Sequence, residues 1–338
     1  MIDLFNPYAW IMRLRRWLYG ANILRSVKLG TPVISVGNLS SGGTGKTPFT
    51  MYLARLLRSR YGLRCAIVLR GYKRDSSGLI VVRDWDAIHV NTRRSGDEAQ
   101  LYARELEGVV VICDEDRVRG ARMAREMGAE VVILDDGFQH LRLRRDLNVV
   151  LINALEGIPH SIPFGKGREG IGAISPFDLV AITNYSNSAA DLARTIRDVQ
   201  HHEPITVVAR IVGYRAIGSR TTIAAADLKG KRVLAVSGIG TPEGFEQSLR
   251  AAGAVVMPLR FSDHAAYDEA SIDQMIVAAT EQTCDAIVTT TKDEVKLIQL
   301  LTPAHRERPI YVAQSQLDLL GTEPDLLQRL DALFQRTT

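Results

Sequence analysis

The sequence is poor in cysteine, has no long apolar run and carries no excess charge outside its first thirty residues. Its three cysteines, Cys65, Cys113 and Cys284, are scattered without zinc-ligand spacing, which favours a reducing compartment. No apolar run reaches the ~18 residues that a membrane-spanning helix needs. Arginines interrupt the apolar N-terminal segment, so it is not typical of a secretory signal, and we expect a cytoplasmic location.

The net charge of +4 is concentrated at the N-terminus, where the first thirty residues hold five basic residues and one acidic residue. The basic residues are Arg13, Arg15, Arg16, Arg25 and Lys28. Because the rest of the chain is balanced in charge, nucleic acid is not an expected partner.

At 338 residues the chain is too long for one ordinary core, which predicts two domains. Short apolar runs typical of buried strands lie at 31–38, 64–72, 108–117, 129–140, 147–153, 177–184, 204–214, 231–240, 254–264, 284–294 and 309–316. Helical patterns lie between many of them, at 46–60, 97–107, 116–127, from 242 onward, at 268–281 and at 323–335. This alternation predicts an α/β fold with a mostly parallel sheet that helices cover on both faces.

The segment 6–24, NPYAWIMRLRRWLYGANIL, predicts a helix with Asn6 as N-cap and Pro7 in the first position. Its apolar side chains fall on one stripe, which arginines flank. The stripe consists of Trp10, Ile11, Leu14, Trp17, Leu18 and Ala21. Two interpretations stay open here: a helix that lies in a membrane interface, and a helix that packs on the protein's own core.

The segment 38–48, NLSSGGTGKTP, ends like a phosphate-binding loop, although Ser40 stands where the G-x-x-x-x-G-K-[ST] pattern begins with glycine. A predicted strand precedes it and a predicted helix follows, so its backbone N–H groups would face an anion at a helix N-terminus. Lys46 would reach the terminal phosphates, and Thr47 would place its hydroxyl on Mg²⁺. A plain turn is the alternative, and it does not explain Lys46 and Thr47 after three glycines.

Two acidic pairs accompany this loop. Asp135 and Asp136 end the buried strand VVILDD at the same edge of the sheet, which predicts Mg²⁺ ligands, whereas a simple turn is the alternative. Asp97 and Glu98 stand at a helix start, where capping alone would explain a carboxylate. A kinase also needs a carboxylate near the acceptor hydroxyl, so this pair is the candidate for that role.

Seven motifs that occur together and in order resemble those of the tetraacyldisaccharide 4′-kinase family, the lipid A 4′-kinases of Gram-negative bacteria. They are VISVGNLSSGGTGKTP, RGYKR, SGDEA, LDDGFQH, SGIGTPEGFEQSL, FSDHAAY and TTTKDEVKL. The resemblance extends from about residue 8 to about residue 300. The phosphate loop of that family commonly lacks the first glycine, which accounts for Ser40.

The resemblance implies that Asp97 is the catalytic base, paired with His264, and that Tyr72 and His140 lie in the substrate region. It implies nucleotide contacts from the loop and from two arginines, namely Ser40, Ser41, Gly42, Gly43, Thr44, Gly45, Lys46, Thr47, Arg117 and Arg168. Thr47, Glu98 and Asp135 would serve Mg²⁺, beside the Asp136 already predicted. The segment 164–173 departs from the family's usual G-P-L-R-E-P pattern around Arg168, and Ala265 stands where a second histidine is common.

The resemblance also implies a P-loop NTPase-like domain (29–214) and a smaller α/β/α domain (215–308), joined by a two-stranded linker. A return strand and a last helix would occupy 309–338. Residues 1–28 would form an amphipathic helix on the cytoplasmic face of the inner membrane. No protein partner is expected.

The implied reaction moves the γ-phosphoryl group of ATP, with Mg²⁺, to the 4′-hydroxyl of a tetraacyl glucosamine disaccharide 1-phosphate and gives lipid IVA. A P-loop NTPase that couples hydrolysis to a conformational change or a partner is the alternative. A dinucleotide site at 237–244 is disfavoured, because its glycine spacing is G-x-G-x-x-x-G rather than G-x-G-x-x-G.

Overall fold

The computed structural model describes residues 6–40, 43–184, 189–200, 202–219, 221–263, 265–302, 305, 308–320 and 323–334. The chain divides into two compact units. Unit 1 comprises Met1–Val208 and Leu319–Thr338, and unit 2 comprises Ala209–Asp318. The predicted domain limits at 214 and 308 stay a prediction.

The elements follow the predicted alternation of strands and helices. The strands are β1 (Val33–Asn38), β2 (Cys65–Leu69), β3 (Ile80–Arg83), β4 (Val110–Cys113), β5 (Val131–Asp135), β6 (Leu147–Asn153), β7 (Leu179–Thr183), β8 (Ile205–Ala216), β9 (Thr222–Ala224), β10 (Arg232–Ser237), β11 (Val255–Arg260), β12 (Ala286–Thr289) and β13 (Ile310–Leu320). The helices are α1 (Pro7–Gly20), α2 (Lys46–Tyr61), α3 (Thr92–Ser95), α4 (Asp97–Glu105), α5 (Arg117–Glu126), α6 (Ala189–Gln200), α7 (Pro242–Ala251), α8 (Glu269–Glu281), α9 (Thr291–Leu297) and α10 (Glu323–Phe334).

The sheet of unit 1 has the strand order β3-β4-β2-β5-β1-β6-β7-β8. All neighbouring strands are parallel except β3, which is antiparallel to β4. The connection through α2 leads from β1 towards β2, and the connection through α5 leads back from β4 to β5. Because crossovers of this kind are right-handed, these opposite directions place α2 and α5 on opposite faces.

Five strands of unit 1 are buried at every position, namely β1, β2, β4, β5 and β7. Successive side chains of a strand point to opposite faces, so complete burial means that both faces are covered. This arrangement confirms the predicted α/β fold with a mostly parallel sheet.

Unit 2 has its own strand order, β11-β10-β12-β13-β8, and β9 pairs with β8 in the antiparallel direction. Strands β10 to β13 pair in parallel. The chain passes between the two units within β8 and again within β13.

The structure differs from the predicted elements at several places. Helix α1 ends at Gly20 rather than at residue 24, and Asn22 takes a left-handed conformation (φ 56°) that does not continue a helix. The run 284–294 is a strand only up to Thr289, because the Thr290 side chain accepts a hydrogen bond from the Asp293 N–H and caps α9. The edge strand β3, strand β9 and helices α3 and α6 were not predicted. In the described part of the chain, no helix is long and apolar enough to cross a membrane.

Candidate active site

The loop between β1 and α2 lies at the carboxyl edge of the parallel strands. Gly45 takes a left-handed conformation (φ 80°) directly before α2, and a Cβ added to it would lie 3.4 Å from Thr183 Cγ2. Glycine adopts this conformation without strain, which explains one glycine of the loop. Ser41 and Gly42 lie outside the described residues, and their nucleotide contacts stay predictions. The strand–loop–helix context of a phosphate site is present.

Two side chains from neighbouring strands hold the carbonyl groups of this loop. Asn153 Nδ2 donates to the Gly43 carbonyl at 3.3 Å, and Thr183 Oγ1 donates to the Thr44 carbonyl at 3.0 Å. In a trans peptide, a carbonyl and the next N–H point in opposite directions, so the N–H groups of Thr44 and Gly45 are directed away from these donors. That orientation suits contacts with a phosphate. Sequence reasoning missed Asn153 and Thr183, whose only signal is a polar residue that ends an apolar strand.

Lys46 and Arg168 meet at the carboxylate of Asp136. Lys46 Nζ lies 3.6 Å from Asp136 Oδ1, and Arg168 Nη1 donates to Asp136 Oδ2 at 2.6 Å. Burial favours the neutral carboxyl group, but the Lys46 and Arg168 cations hold the pKa of Asp136 below its ordinary value. The carboxylate therefore fixes two cations near the start of α2. The metal role of Asp136 stays a prediction, since both of its oxygens face cations here.

The segment that contains Arg168 lies directly on the phosphate loop. The backbone N–H groups of Arg168 and Glu169 both donate to the Leu39 carbonyl, at 2.7 and 3.2 Å. Gly167 forms an antiparallel bridge with Ser40. The departure of this segment from the family pattern therefore does not move Arg168 away from the predicted site.

Asp135 is the last residue of β5 and is almost completely buried. Its Oδ1 has no hydrogen-bond partner among the residues that the structure describes. Burial raises the pKa of Asp135, and the nearby charges of Glu98 and Asp136 raise it further. The Tyr102 hydroxyl lies in the same buried region, where burial and the Asp135 and Glu98 charges raise its pKa as well. The carboxylates therefore repel one another here, and a bound cation would relieve that repulsion.

A magnesium ion fits this donor set. Within the described ranges, no three His, Cys, Asp or Glu side chains converge as a ready metal cage. Mg²⁺ is usually held by one or two carboxylates together with waters and substrate phosphates, so it needs no such cage. The buried Oδ1 of Asp135 offers one hard oxygen ligand, and Glu98 is a further carboxylate close enough for its charge to raise the pKa of Asp135.

Asp97 and Glu98 begin α4 and are half-buried. The preceding residue, Gly96, has φ 83°, and a Cβ added to it would lie 2.9 Å from the Tyr72 carbonyl oxygen. Only glycine allows this close approach without strain. The close packing brings the loop of Tyr72 to the start of α4, so Asp97 and Tyr72 belong to the same side of the site.

His140 follows the Asp135–Asp136 turn and has a buried Nε2 without a hydrogen-bond partner in the described part of the chain. Burial, assisted by the Arg117 and Arg145 cations, lowers the pKa of His140 to about 4. The ring is therefore neutral at pH 7 and can donate or accept one hydrogen bond. Arg117 is itself buried at the start of α5.

His264, the predicted partner of Asp97, lies outside the described residues. Its pairing with Asp97 therefore stays a prediction. The other predicted residues that the structure describes all lie in unit 1.

Comparisons with known proteins agree with one another. The family model described as "Tetraacyldisaccharide-1-P 4'-kinase" matches residues 4–335. A tetraacyldisaccharide 4′-kinase of Geobacter metallireducens is 36% identical over 324 residues, which are 94% of this chain and 93% of that protein. Another, of Desulfotalea psychrophila, is 36% identical over 340 residues, which are 98% of this chain and 96% of that protein.

The chain is also similar to a solved structure, the crystal structure of LpxK from Aquifex aeolicus in complex with ATP. The two superpose with a TM-score of 0.71 at 30% sequence identity. The similarity covers 97% of this chain and 96% of that chain.

Proposed function

The chain belongs to the tetraacyldisaccharide 4′-kinase family, and from this premise we propose how its residues carry out the reaction. It is an ATP-dependent lipid A 4′-kinase that transfers the γ-phosphoryl group of ATP to the 4′-hydroxyl of a tetraacyldisaccharide 1-phosphate. The matches extend over nearly the whole chain, and the alternative, a P-loop NTPase that couples hydrolysis to a partner, is not favoured.

The row Lys46–Asp136–Arg168 is the observation that carries the proposed nucleotide site. Phosphoryl transfer needs fixed positive charge near the terminal phosphates, because negative charge is redistributed there in the transition state. Lys46 and Arg168 supply two cations, and Asp136 orients both. Arg117 adds a third cation on the side of α5.

On the acceptor side, Asp97 would accept the proton of the 4′-hydroxyl as that oxygen attacks phosphorus. Its place at the start of α4, beside the loop of Tyr72, supports this role. The neutral ring of His140 and the exposed ring of Tyr72 would contact the substrate. His264 would orient Asp97 and share the proton.

Thr47, Glu98 and Asp135 would hold the magnesium ion. Among these three residues, Asp135 supplies the buried Oδ1 that has no hydrogen-bond partner in the described part of the chain. When bound, Mg²⁺ neutralises phosphate charge. The chain's own part is to hold the Asp135 carboxyl group near Lys46, whose cation partly offsets the rise in the pKa of Asp135 that burial and the Glu98 and Asp136 charges cause.

The exposed face of α1 supports association with a membrane surface. Trp10, Ile11, Leu14 and Trp17 are each more than half exposed, so these four side chains of the apolar stripe do not pack on the core of unit 1. An amphipathic helix with tryptophans on its apolar face is typical of a membrane interface. Because the lipid substrate lies in a membrane and ATP in the cytoplasm, we place the protein on the cytoplasmic face of the inner membrane.

The test is incubation with labelled ATP, Mg²⁺ and the disaccharide 1-phosphate lipid, followed by mass analysis of the lipid. One added phosphate at the 4′-position is the expected product. Release of free phosphate that lipid does not change, without a phosphorylated lipid, would favour the NTPase.

A further inference from the structure

The N-cap residue of α1 is hydrogen-bonded to a distant segment of unit 1. Asn6 caps the helix with its side-chain oxygen, and its Nδ2 donates to the Ile162 carbonyl at 2.9 Å and to the Ser161 carbonyl at 3.4 Å. We call residues 160–170 the bridging segment. The N-terminus of α1 is therefore positioned by this segment.

In the second half of α1, Arg16 makes a second connection to the same segment. Its guanidinium forms a bidentate ion pair with Glu169 of the bridging segment: Nε donates to the two carboxylate oxygens at 3.0 and 3.1 Å, and Nη2 donates to Oε2. The Glu169 side chain is only 2% exposed. The same guanidinium stacks on the ring of Phe138, with 4.3 Å between Cζ and the ring centroid. Arg16 thus contacts two segments of the candidate active site.

Both of these contacts lead directly to the phosphate loop. The N–H groups of Arg168 and Glu169 donate to the Leu39 carbonyl, and Arg168 reaches Asp136. Phe138 packs on Gly37 of β1, where an added Cβ would lie 2.5 Å from Phe138 Cβ. A shift of Arg16 would therefore be transmitted to Arg168 and to the strand that leads into the loop.

Stability alone is a weak reason for this ion pair. Removing two charges from water is costly, and a buried ion pair often adds no net stability over an apolar pair of the same volume. Its geometric effect is specific, however, because a bidentate pair fixes the orientation of both partners. Here the carboxylate partner is the immediate neighbour of a cation at the phosphate site.

We propose that Arg16 and Glu169 are positioning residues for phosphoryl transfer, which hold Arg168 against Asp136 and so make α1 part of the active-site scaffold. The proposal rests on the proposed nucleotide-site role of Arg168. It separates two tasks of α1: the exposed apolar stripe faces away from the unit, and Arg16 on the inner side sets the geometry of the phosphate site.

The experiment compares kcat and the KM for ATP on detergent-dispersed tetraacyldisaccharide 1-phosphate, so that binding to vesicles does not enter. Single substitutions leave one buried charge without its partner and can prevent folding. The main variant is therefore the neutral pair R16Q/E169Q, which keeps hydrogen-bonding groups at both positions. We expect its kcat to fall about tenfold or more, because small misplacements of catalytic groups have effects of this order, with a melting temperature close to that of the wild type.

Two further variants distinguish positioning from a structural role. Arg16→Lys keeps the charge but loses the bidentate geometry, and it should retain more kcat than the neutral pair. Arg25→Gln removes the same charge at an exposed position beyond the end of α1, and we expect kcat within about twofold of the wild type on this dispersed substrate.

The decisive comparison adds Arg168→Gln to the neutral pair. If the pair acts through Arg168, the triple variant is no slower than Arg168→Gln alone, because residues that act as a unit are non-additive. A folded neutral pair with wild-type kcat, or losses that multiply in the triple variant, would overturn the proposal. Equal activity of Arg168→Gln and the wild type would instead contradict the proposed nucleotide site, and the positioning role with it.

Discussion

Asp136 accepts a 2.6 Å hydrogen bond from Arg168, a residue 32 positions further along the chain. Its other oxygen lies 3.6 Å from Nζ of Lys46. One carboxylate thus connects the end of β5, the first residue of α2 and the segment before β7. Disturbing any one of the three should change the arrangement of charge at the phosphate site.

Lys46→Ala should reduce kcat by on the order of 10²-fold or more, because a fixed cation is lost where phosphoryl charge develops. The assay is lipid phosphorylation at saturating ATP. Lys28→Ala, which removes an exposed lysine of the same unit, is the matched control. Near-normal turnover of a folded Lys46→Ala protein would remove the phosphate-loop assignment.

Asp135→Asn should raise the Mg²⁺ concentration needed for half-maximal activity by on the order of tenfold, since one anionic ligand of a hard cation is lost. A Mg²⁺ titration of kcat measures this shift. Asp136→Asn is titrated beside it. If only the second variant shifts, the metal role belongs to Asp136; if neither does, Glu98 becomes the leading carboxylate.

Thr183→Val should weaken ATP binding by several-fold, because the Thr44 carbonyl loses a hydrogen bond that contributes about 1 kcal/mol. Valine has nearly the same volume as threonine, so the substitution removes the hydroxyl donor to the Thr44 carbonyl without creating a cavity. Calorimetric titration with ATP gives the affinity. Thr195→Val removes a hydroxyl that bonds a carbonyl on the exposed helix α6 and should leave the affinity unchanged; equal effects of both variants would argue against a specific role of Thr183.

Leu14→Gln combined with Trp17→Gln should weaken binding to phospholipid vesicles by about tenfold or more, because each buried large apolar side chain contributes ~1.5–3 kcal/mol. Flotation with vesicles measures it. Deleting α1 would be less informative, because it would also remove Arg16 and the Arg15 contact with the Gln139 carbonyl. Val277→Gln, at an exposed apolar position of α8, is the control, and undiminished flotation of the α1 variant would refute the interfacial role.

Asp97→Ala should depress kcat by ~10²-fold or more while ATP binding stays nearly intact, because a base acts on the acceptor hydroxyl and not on the nucleotide. His264→Ala should have a smaller effect of the same kind. If the two act as one unit, the double variant is little worse than Asp97→Ala. Fully multiplicative losses at saturating ATP would mean that the two residues act independently.

The phosphate loop and the acidic turn could be predicted from the sequence because their signals are local. Glycines followed by Gly45-Lys46-Thr47 between an apolar run and a helical pattern define the first, and two aspartates at the end of a buried run define the second. Their meeting at one edge also followed from the sequence, since the carboxyl ends of parallel strands lie together. The helix limits and the edge strand β3 were less accessible, because short elements at a sheet edge depend on pairing rather than on local pattern.

By itself, the sequence determined the fold class, the family and the chemical groups of the site, because periodicity and clustered motifs are properties of contiguous residues. Only the tertiary structure decided which side chains support those groups. Asn153 and Thr183 hold the loop because β6 lies beside β1 in the sheet and β7 lies beside β6. Arg16 reaches Glu169 across 153 positions because α1 packs on the bridging segment. The residues next to a single arginine or asparagine in the sequence do not indicate which distant residue it will contact. These contacts form only when strand order and helix packing bring distant residues within hydrogen-bond distance.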